Sequence, residues 1–100
     1  MRGVLINAGT PPLDTAAHWE LHPDVALRPE PFGALAYHYG SRRLTFLRSQ
    51  LLAELVRDLG QYETADAALD DRVPHEERSA YRRALASLAQ SRFIEAQRAP

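Results

Sequence analysis

Cysteine is absent from this chain of 100 residues, which excludes disulfides, thiolate metal sites and cysteine nucleophiles. Lysine is absent as well, so arginine supplies all 12 basic side chains. A disulfide-free chain suits a reducing compartment, and no apolar run approaches the roughly 20 residues of a membrane-spanning helix. We therefore expect a cytoplasmic protein without a membrane partner.

The charge of the chain is almost balanced, with a net value of −1 at pH 7. No overall field then attracts nucleic acid, and we expect no nucleic-acid partner. The exclusive use of arginine has two interpretations, codon bias in a GC-rich genome or a need for bidentate pairing with carboxylates. Composition alone does not separate them, and we favour codon bias.

Motifs for catalysis are also missing from the sequence. No serine stands in a G-x-S-x-G frame, and there is no glycine-rich phosphate loop. The segment "HWELH" places His18 and His22 four residues apart. However, Trp19 replaces the glutamate of the zinc-protease pattern, and Pro23 disfavours a helix at this point. We expect Trp19 to pack on the domain, and we expect no metal, no cofactor and no enzymatic activity.

The order of the elements predicts an α+β fold in a single domain. Residues 1–17 are expected to form a flexible N-terminal arm, residues 18–96 the domain and residues 97–100 a tail. A short strand at Val25–Arg28 and a hairpin across the next segment make an N-terminal three-stranded antiparallel sheet.

Three helices are predicted after the sheet. Ser49 and Thr64 are suitable N-caps for the first two, Gly60 ends the first, and Pro74 suits the first turn of the third. A small sheet followed by three helices also describes a winged helix-turn-helix variant. Near the C-terminus, the pair Phe93-Ile94 is expected to return to the core.

The stretch "ALAYHYGSRRLTFL" predicts the hairpin, with Gly40-Ser41 as a two-residue type II′ turn. That turn pairs Tyr37 with Leu44 and puts one set of side chains on a face built for the core. The set is Leu35, Tyr37, Tyr39, Arg42, Leu44 and Phe46. The other face carries Ala34, Ala36, His38, Arg43, Thr45 and Leu47.

The second strand of this hairpin has an outer edge with no evident partner. A two-residue turn directs the backbone groups of Arg43, Thr45 and Leu47 toward that edge, and those of Leu44 and Phe46 toward the neighbouring strand. An open edge is either protected against aggregation or used to capture a peptide by strand addition. From these residues alone, both interpretations stay open.

Arginines cluster at two places, near the hairpin and on the third helix. The simplest interpretation is a solvated surface paired with nearby acids, which contributes little stability. The alternatives are a DNA-recognition helix and a basic groove for an acidic peptide. The clustered residues are Arg42, Arg43, Arg48, Arg78, Arg82 and Arg83.

The block Leu21–Leu59 resembles the mycofactocin-system peptide chaperones, which are PqqD-like RiPP recognition elements. The run "RPEPFGAL–YH–G–RRL–FL" between Arg28 and Ser49 is the most specific part. The likeness continues more loosely through "YRRALASLAQSRFI", whereas the first twenty residues match least well.

The resemblance implies a non-catalytic peptide chaperone with a winged helix-turn-helix-like fold. The leader of a ribosomally made precursor peptide would add to the third strand, in a cleft walled by the third helix, and would be handed to a radical SAM maturase. That enzyme would carry the iron–sulfur chemistry. The peptide-binding positions would be Arg43, Leu44, Thr45, Phe46, Leu47, Arg78, Arg82 and Leu85, whereas Tyr81 would belong to the core.

Two other classes of function stay open from the sequence. The first is a winged-helix DNA-binding regulator, which would depend on Arg82 or Arg83. The second is a self-association module that uses the same edge on a second copy, so the expected state is a monomer or a weak, domain-swapped dimer.

Overall fold

The computed structural model describes residues 13–96. Within this range, five strands and three α-helices make up an α+β fold with antiparallel sheets, as the order of the elements predicted. Short 3₁₀ turns, Leu59–Gln61 and His75–Glu77, follow the first helix and precede the third. The elements are β1 (Trp19–Leu21), β2 (Val25–Glu30), β3 (Gly33–His38), β4 (Arg43–Leu47), α1 (Gln50–Asp58), α2 (Ala65–Arg72), α3 (Arg78–Gln90) and β5 (Ile94–Ala96).

The strands form two sheets rather than one. Strands β2, β3 and β4 make the predicted three-stranded sheet, in that order. Strands β1 and β5 make a second, two-stranded sheet that the sequence did not reveal, with Leu21 opposite Ile94. This small sheet joins the beginning and the end of the domain, and it explains why Phe93 and Ile94 are almost completely buried.

Part of the predicted N-terminal arm is tied to the domain. The carbonyl oxygens of Thr15 and Ala17 accept hydrogen bonds from the first backbone N–H groups of α2, at 2.8 and 3.1 Å. Trp19 packs against the core, as expected, and its indole N–H donates to the Asp14 carbonyl at 2.8 Å. Residues 1–12 of the arm and the tail 97–100 lie outside the described residues.

The N-caps of α1 and α2 are those predicted from the sequence, but α1 ends at Asp58, before the predicted Gly60, which lies in the following 3₁₀ turn. The Ser49 hydroxyl accepts a hydrogen bond from the Leu52 N–H at 2.9 Å, and the Thr64 hydroxyl accepts one from Ala67 at 3.0 Å. Such caps satisfy N–H groups that the first turn of a helix cannot pair internally. The third helix begins four residues after Pro74, because the 3₁₀ turn intervenes.

The strand register was predicted correctly, but the buried face was not. Tyr37 lies opposite Leu44, as expected, yet Leu44 is 60% exposed and Phe46 is 55% exposed. The core instead uses the face with Ala34 and Ala36, which are at most 3% exposed. Small side chains let α1 approach the sheet closely, and leucines and valines from the helices then fill the core.

The hairpin turn also differs from the prediction. His38 and Arg43 are the last paired residues, so the loop has four residues rather than two. The Arg42 N–H donates to the His38 carbonyl at 2.7 Å, and it is Arg42, with a φ of 62°, that adopts the left-handed conformation. Gly40 has no positive φ, so the type II′ turn is wrong.

A buried ion pair joins α1 to α2. Both oxygens of the Asp58 carboxylate accept hydrogen bonds from Arg57 at 2.9 Å, and Arg72 donates to the same carboxylate at 2.7 Å. The hydrogen bonds from Arg57 hold the pKa of Asp58 well below its ordinary value. Arg72 adds to that effect, while burial opposes it.

We expect Asp58→Asn to lower the free energy of unfolding by about 2 kcal/mol at neutral pH, because it weakens charged hydrogen bonds. Since folding lowers the pKa of Asp58, its contribution is present above the ordinary aspartate pKa of about 3.9 and is lost as the pH falls through the folded value. In denaturant melts from pH 7 downward, the stability gap between the two proteins should therefore stay constant to about pH 4 and narrow progressively below it. The exposed Glu63→Gln serves as the control, and a pH-independent gap would contradict the assignment.

Candidate functional site

Strand β4 forms one edge of the three-stranded sheet. The opposite edge strand, β2, contains Pro29, which has no N–H and so weakens that edge as a template for pairing. Strand β4 has no proline, and it is continuous from Arg43 to Leu47. Within the described part of the chain, β4 is therefore the edge better suited to accept another strand.

Two hydrogen bonds fix which backbone groups of β4 face outward. The Tyr39 N–H donates to Asp24 beside β2, whereas the His38 carbonyl accepts from Arg42 on the β4 side. Backbone groups alternate sides along a strand, so His38, Ala36 and Ala34 face β4. Their partners Arg43, Thr45 and Leu47 consequently face inward.

The open N–H and C=O groups therefore belong to Leu44 and Phe46. This corrects the expectation that Arg43, Thr45 and Leu47 present their backbone to the edge. The four-residue loop is the cause, because it keeps the side-chain register of a two-residue turn but exchanges the hydrogen-bonded and non-hydrogen-bonded pairs.

Helix α3 lies alongside β4 and makes the second wall of a groove. At one end, the Tyr81 hydroxyl is 3.1 Å from the Ser49 hydroxyl, just beyond β4. At the other end, Gln90 and Ser91 share a pocket with Arg43, the first residue of β4. The helix therefore runs antiparallel to the strand. Residues three or four apart lie on the same side of a helix, so the side of α3 toward β4 extends from Tyr81 to Ser91.

The structure places the residues predicted for the helical wall in different surroundings. Leu85 is 0% exposed and supports α3 from within the core, so its side chain is not available to a peptide. Arg78 faces α2 instead, where it donates to the Val73 carbonyl at 3.1 Å and pairs with Asp70 at 2.8 Å. Arg82 is one turn further along the same face as Arg78. Tyr81, assigned to the core, is half-buried and packs against the core, as expected.

The outer face of the sheet carries the aromatic side chains that were expected inside. Phe32 meets Phe46 edge-to-face with ring centroids 5.7 Å apart, and Tyr37 meets Tyr39 at 5.1 Å. The Arg48 guanidinium lies 5.4 Å from the centre of the Phe46 ring. Exposed apolar patches of this kind mark interaction surfaces. The backbone of Leu44 and Phe46 thus opens onto the edge, while their side chains belong to this face.

The histidines of the "HWELH" segment are used within the fold. His18 donates through Nδ1 to the Tyr62 carbonyl at 2.8 Å, and His22 accepts the Asp24 N–H at 3.0 Å. Among residues 13–96 there is no group of three side chains placed to hold a metal ion. No helix in this range is long and apolar enough to cross a membrane.

A comparison with known protein families covers almost all of the described domain. A family model described as the peptide chaperone MftB family matches residues 18–95. The chain belongs to this family. The match confirms the resemblance that was carried by the segment between Arg28 and Ser49, and it includes β4 and α3.

Relatives in the MftB family span most of the chain. The peptide chaperone MftB of Mycolicibacterium smegmatis is 42% identical over 82 residues, which are 81% of this chain and 80% of that protein. The peptide chaperone MftB of Mycobacterium ulcerans is 40% identical over 107 residues, covering 99% and 98% of the two chains. No solved structure matches the chain significantly.

Proposed function

We propose that this chain is a non-catalytic peptide chaperone of mycofactocin biosynthesis. It binds the leader of a ribosomally synthesised precursor peptide and presents that peptide to a radical SAM maturase. The observation that carries the proposal is the open edge of β4 beside the α3 groove, in a chain of the MftB family. The redox chemistry then belongs to the maturase.

Strand addition to β4 supplies the affinity. A peptide in the groove pairs with the open N–H and C=O groups of Leu44 and Phe46, which allows four main-chain hydrogen bonds. Its side chains then alternate between two environments. Those opposite Leu44 and Phe46 lie on the aromatic outer face, and those opposite Arg43, Thr45 and Leu47 turn toward α3. The alternation selects a peptide with a matching pattern.

The winged helix-turn-helix likeness remains part of this proposal. Three helices after a small sheet suit that description, and a DNA-binding regulator is the second candidate function. The exposed Arg82 and Arg83 on α3 favour that candidate. Against it, the Arg78 side chain is paired with Asp70 of α2. In addition, the net charge of −1 gives no overall attraction for phosphates.

Calorimetric titration with the precursor peptide from the same genome tests the proposal. We expect binding in the micromolar to nanomolar range, equivalent to roughly −8 to −12 kcal/mol. A peptide with a scrambled leader is the control, and a DNA duplex is titrated in parallel at low salt. Equal binding of both peptides, or binding of the duplex alone, would contradict the chaperone function.

A further inference from the structure

An open pocket of about 410 Å³ lies at the end of the groove where β4 begins. Among the described residues that line it, Arg43 and Arg92 are the two arginines and none carries a carboxylate. Glu95 is close to the pocket, and its Oε1 lies 3.8 Å from Nε2 of His22. The lining residues are His22, His38, Gly40, Ser41, Arg43, Gln90, Ser91 and Arg92.

Neither guanidinium group of these two arginines has a hydrogen-bond or ion-pair partner among residues 13–96. In the same part of the chain, Arg57 and Arg72 are paired with Asp58, and Arg78 is paired with Asp70. Two guanidinium groups in one concave site, neither of them ion-paired within residues 13–96, make a site suited to an external carboxylate or phosphate, although the Asp24 carboxylate lies beside the neighbouring Gly40.

His38 adds a buried donor to this pocket. The residue is 5% exposed, and its Nδ1 accepts the Ser41 N–H at 3.2 Å. The proton of the neutral ring is therefore on Nε2, which has no acceptor among the described residues. An N–H that has no acceptor among residues 13–96 is available to an acceptor that enters the pocket.

The backbone at Arg92 provides an independent indication. Helix α3 ends in a Schellman motif, in which the Phe93 N–H donates to Leu88 at 2.8 Å and the Arg92 N–H donates to Ala89 at 3.1 Å. Arg92 has a φ of 65°, at the position where such motifs favour glycine. An arginine there bears a conformational cost, which is consistent with a role for its side chain.

We infer that this pocket binds a carboxylate of the captured peptide. The carboxylate belongs to an aspartate or glutamate that lies opposite Arg43, because the side chain at that position turns toward α3. Arg43 and Arg92 would pair with it, and Nε2 of His38 would donate to it. The inference rests on the proposed strand addition, and it names the class of residue that the leader must carry at one position.

The decisive variant is Arg92→Gly. Glycine suits the left-handed backbone, so the melting temperature should stay the same or rise, while the affinity for the leader should fall about tenfold or more. Arg42→Gly is the matched control. It removes the same charge from a second left-handed position, with a φ of 62°, but Arg42 is not in the pocket lining. Equal loss of affinity in both variants would overturn the inference and leave only general charge attraction.

A second set of titrations changes the peptide. Each aspartate and glutamate of the leader is replaced singly by asparagine or glutamine, and the C-terminal carboxylate is amidated separately. One side-chain replacement should lower affinity about tenfold with the wild-type chain, and should have little further effect with Arg92→Gly. Additive losses, or a loss on amidation alone, would overturn the assignment to a leader side chain. If the native leader does not bind the wild-type chain at all, the proposed function fails as well.

Discussion

Replacing Leu44 by proline is expected to lower the affinity for the precursor leader between about tenfold and a hundredfold. The substitution removes an N–H that faces the open edge and places the proline ring where the added strand would lie. The ladder to β3 does not use that N–H, so the domain should stay folded. Calorimetry with the native leader and a thermal melt of the same sample measure both quantities.

Two variants separate the backbone effect from other causes. Leu44→Ala keeps the N–H and removes most of the exposed side chain, so it should bind more tightly than Leu44→Pro. Thr45→Pro removes an N–H that faces β3 and should destabilise the domain by about 3 kcal/mol. If Thr45→Pro stayed fully stable while Leu44→Pro unfolded, the hydrogen-bond alternation derived for β4 would be wrong.

The hairpin shows how far the sequence predicts this site. In an antiparallel hairpin, the residue numbers of every pair add to the same value. A two-residue and a four-residue loop centred on the same point therefore give the same Tyr37–Leu44 pair. The direction of the backbone groups depends on the loop length, and the left-handed conformation of Arg42 carried no sequence signal. The strand was therefore predictable, and the identity of its open residues was not.

The buried face was missed for a different reason. Large apolar side chains are normally assigned to the core, but the three helices already supply buried leucines such as Leu55, Leu69 and Leu85. The sheet then packs through its alanines, and the aromatic face is left outside. A hydrophobic pattern on one hairpin cannot show which face its neighbours will need.

On α3, helical periodicity was a better guide than residue type. Arg78, Arg82 and Leu85 were predicted as the helical wall, yet Arg78 points to α2, where it pairs with Asp70. Leu85 is on the inner side of the helix and is completely buried. Arg92, which lines the pocket, follows the helix and was not singled out. An arginine directly after a helical pattern, where glycine is usual, is the signal that was available.

Gly33→Ala should destabilise the domain by roughly 3–5 kcal/mol, which combines backbone strain with overpacking. Gly33 has a φ of 148°, a conformation that side chains rarely adopt. A Cβ at this position would collide with the Leu47 carbonyl oxygen and lie 2.7 Å from the Ser49 carbonyl oxygen. These are backbone atoms at the end of β4 and the start of α1, so relief requires movement of both elements.

A fall in melting temperature of about 15 °C or more is the expected measurement for Gly33→Ala. Gly60→Ala is the control, because the φ of Gly60 is outside the left-handed range. A Cβ added at Gly60 would lie 3.0 Å from its nearest atom, a side-chain carbon of Glu20. It should lose far less stability. If Gly33→Ala melted like the wild type, the close approach of β3 to Leu47 would be wrong. The strand edge proposed to receive the peptide would then lack the backbone contact that fixes its end.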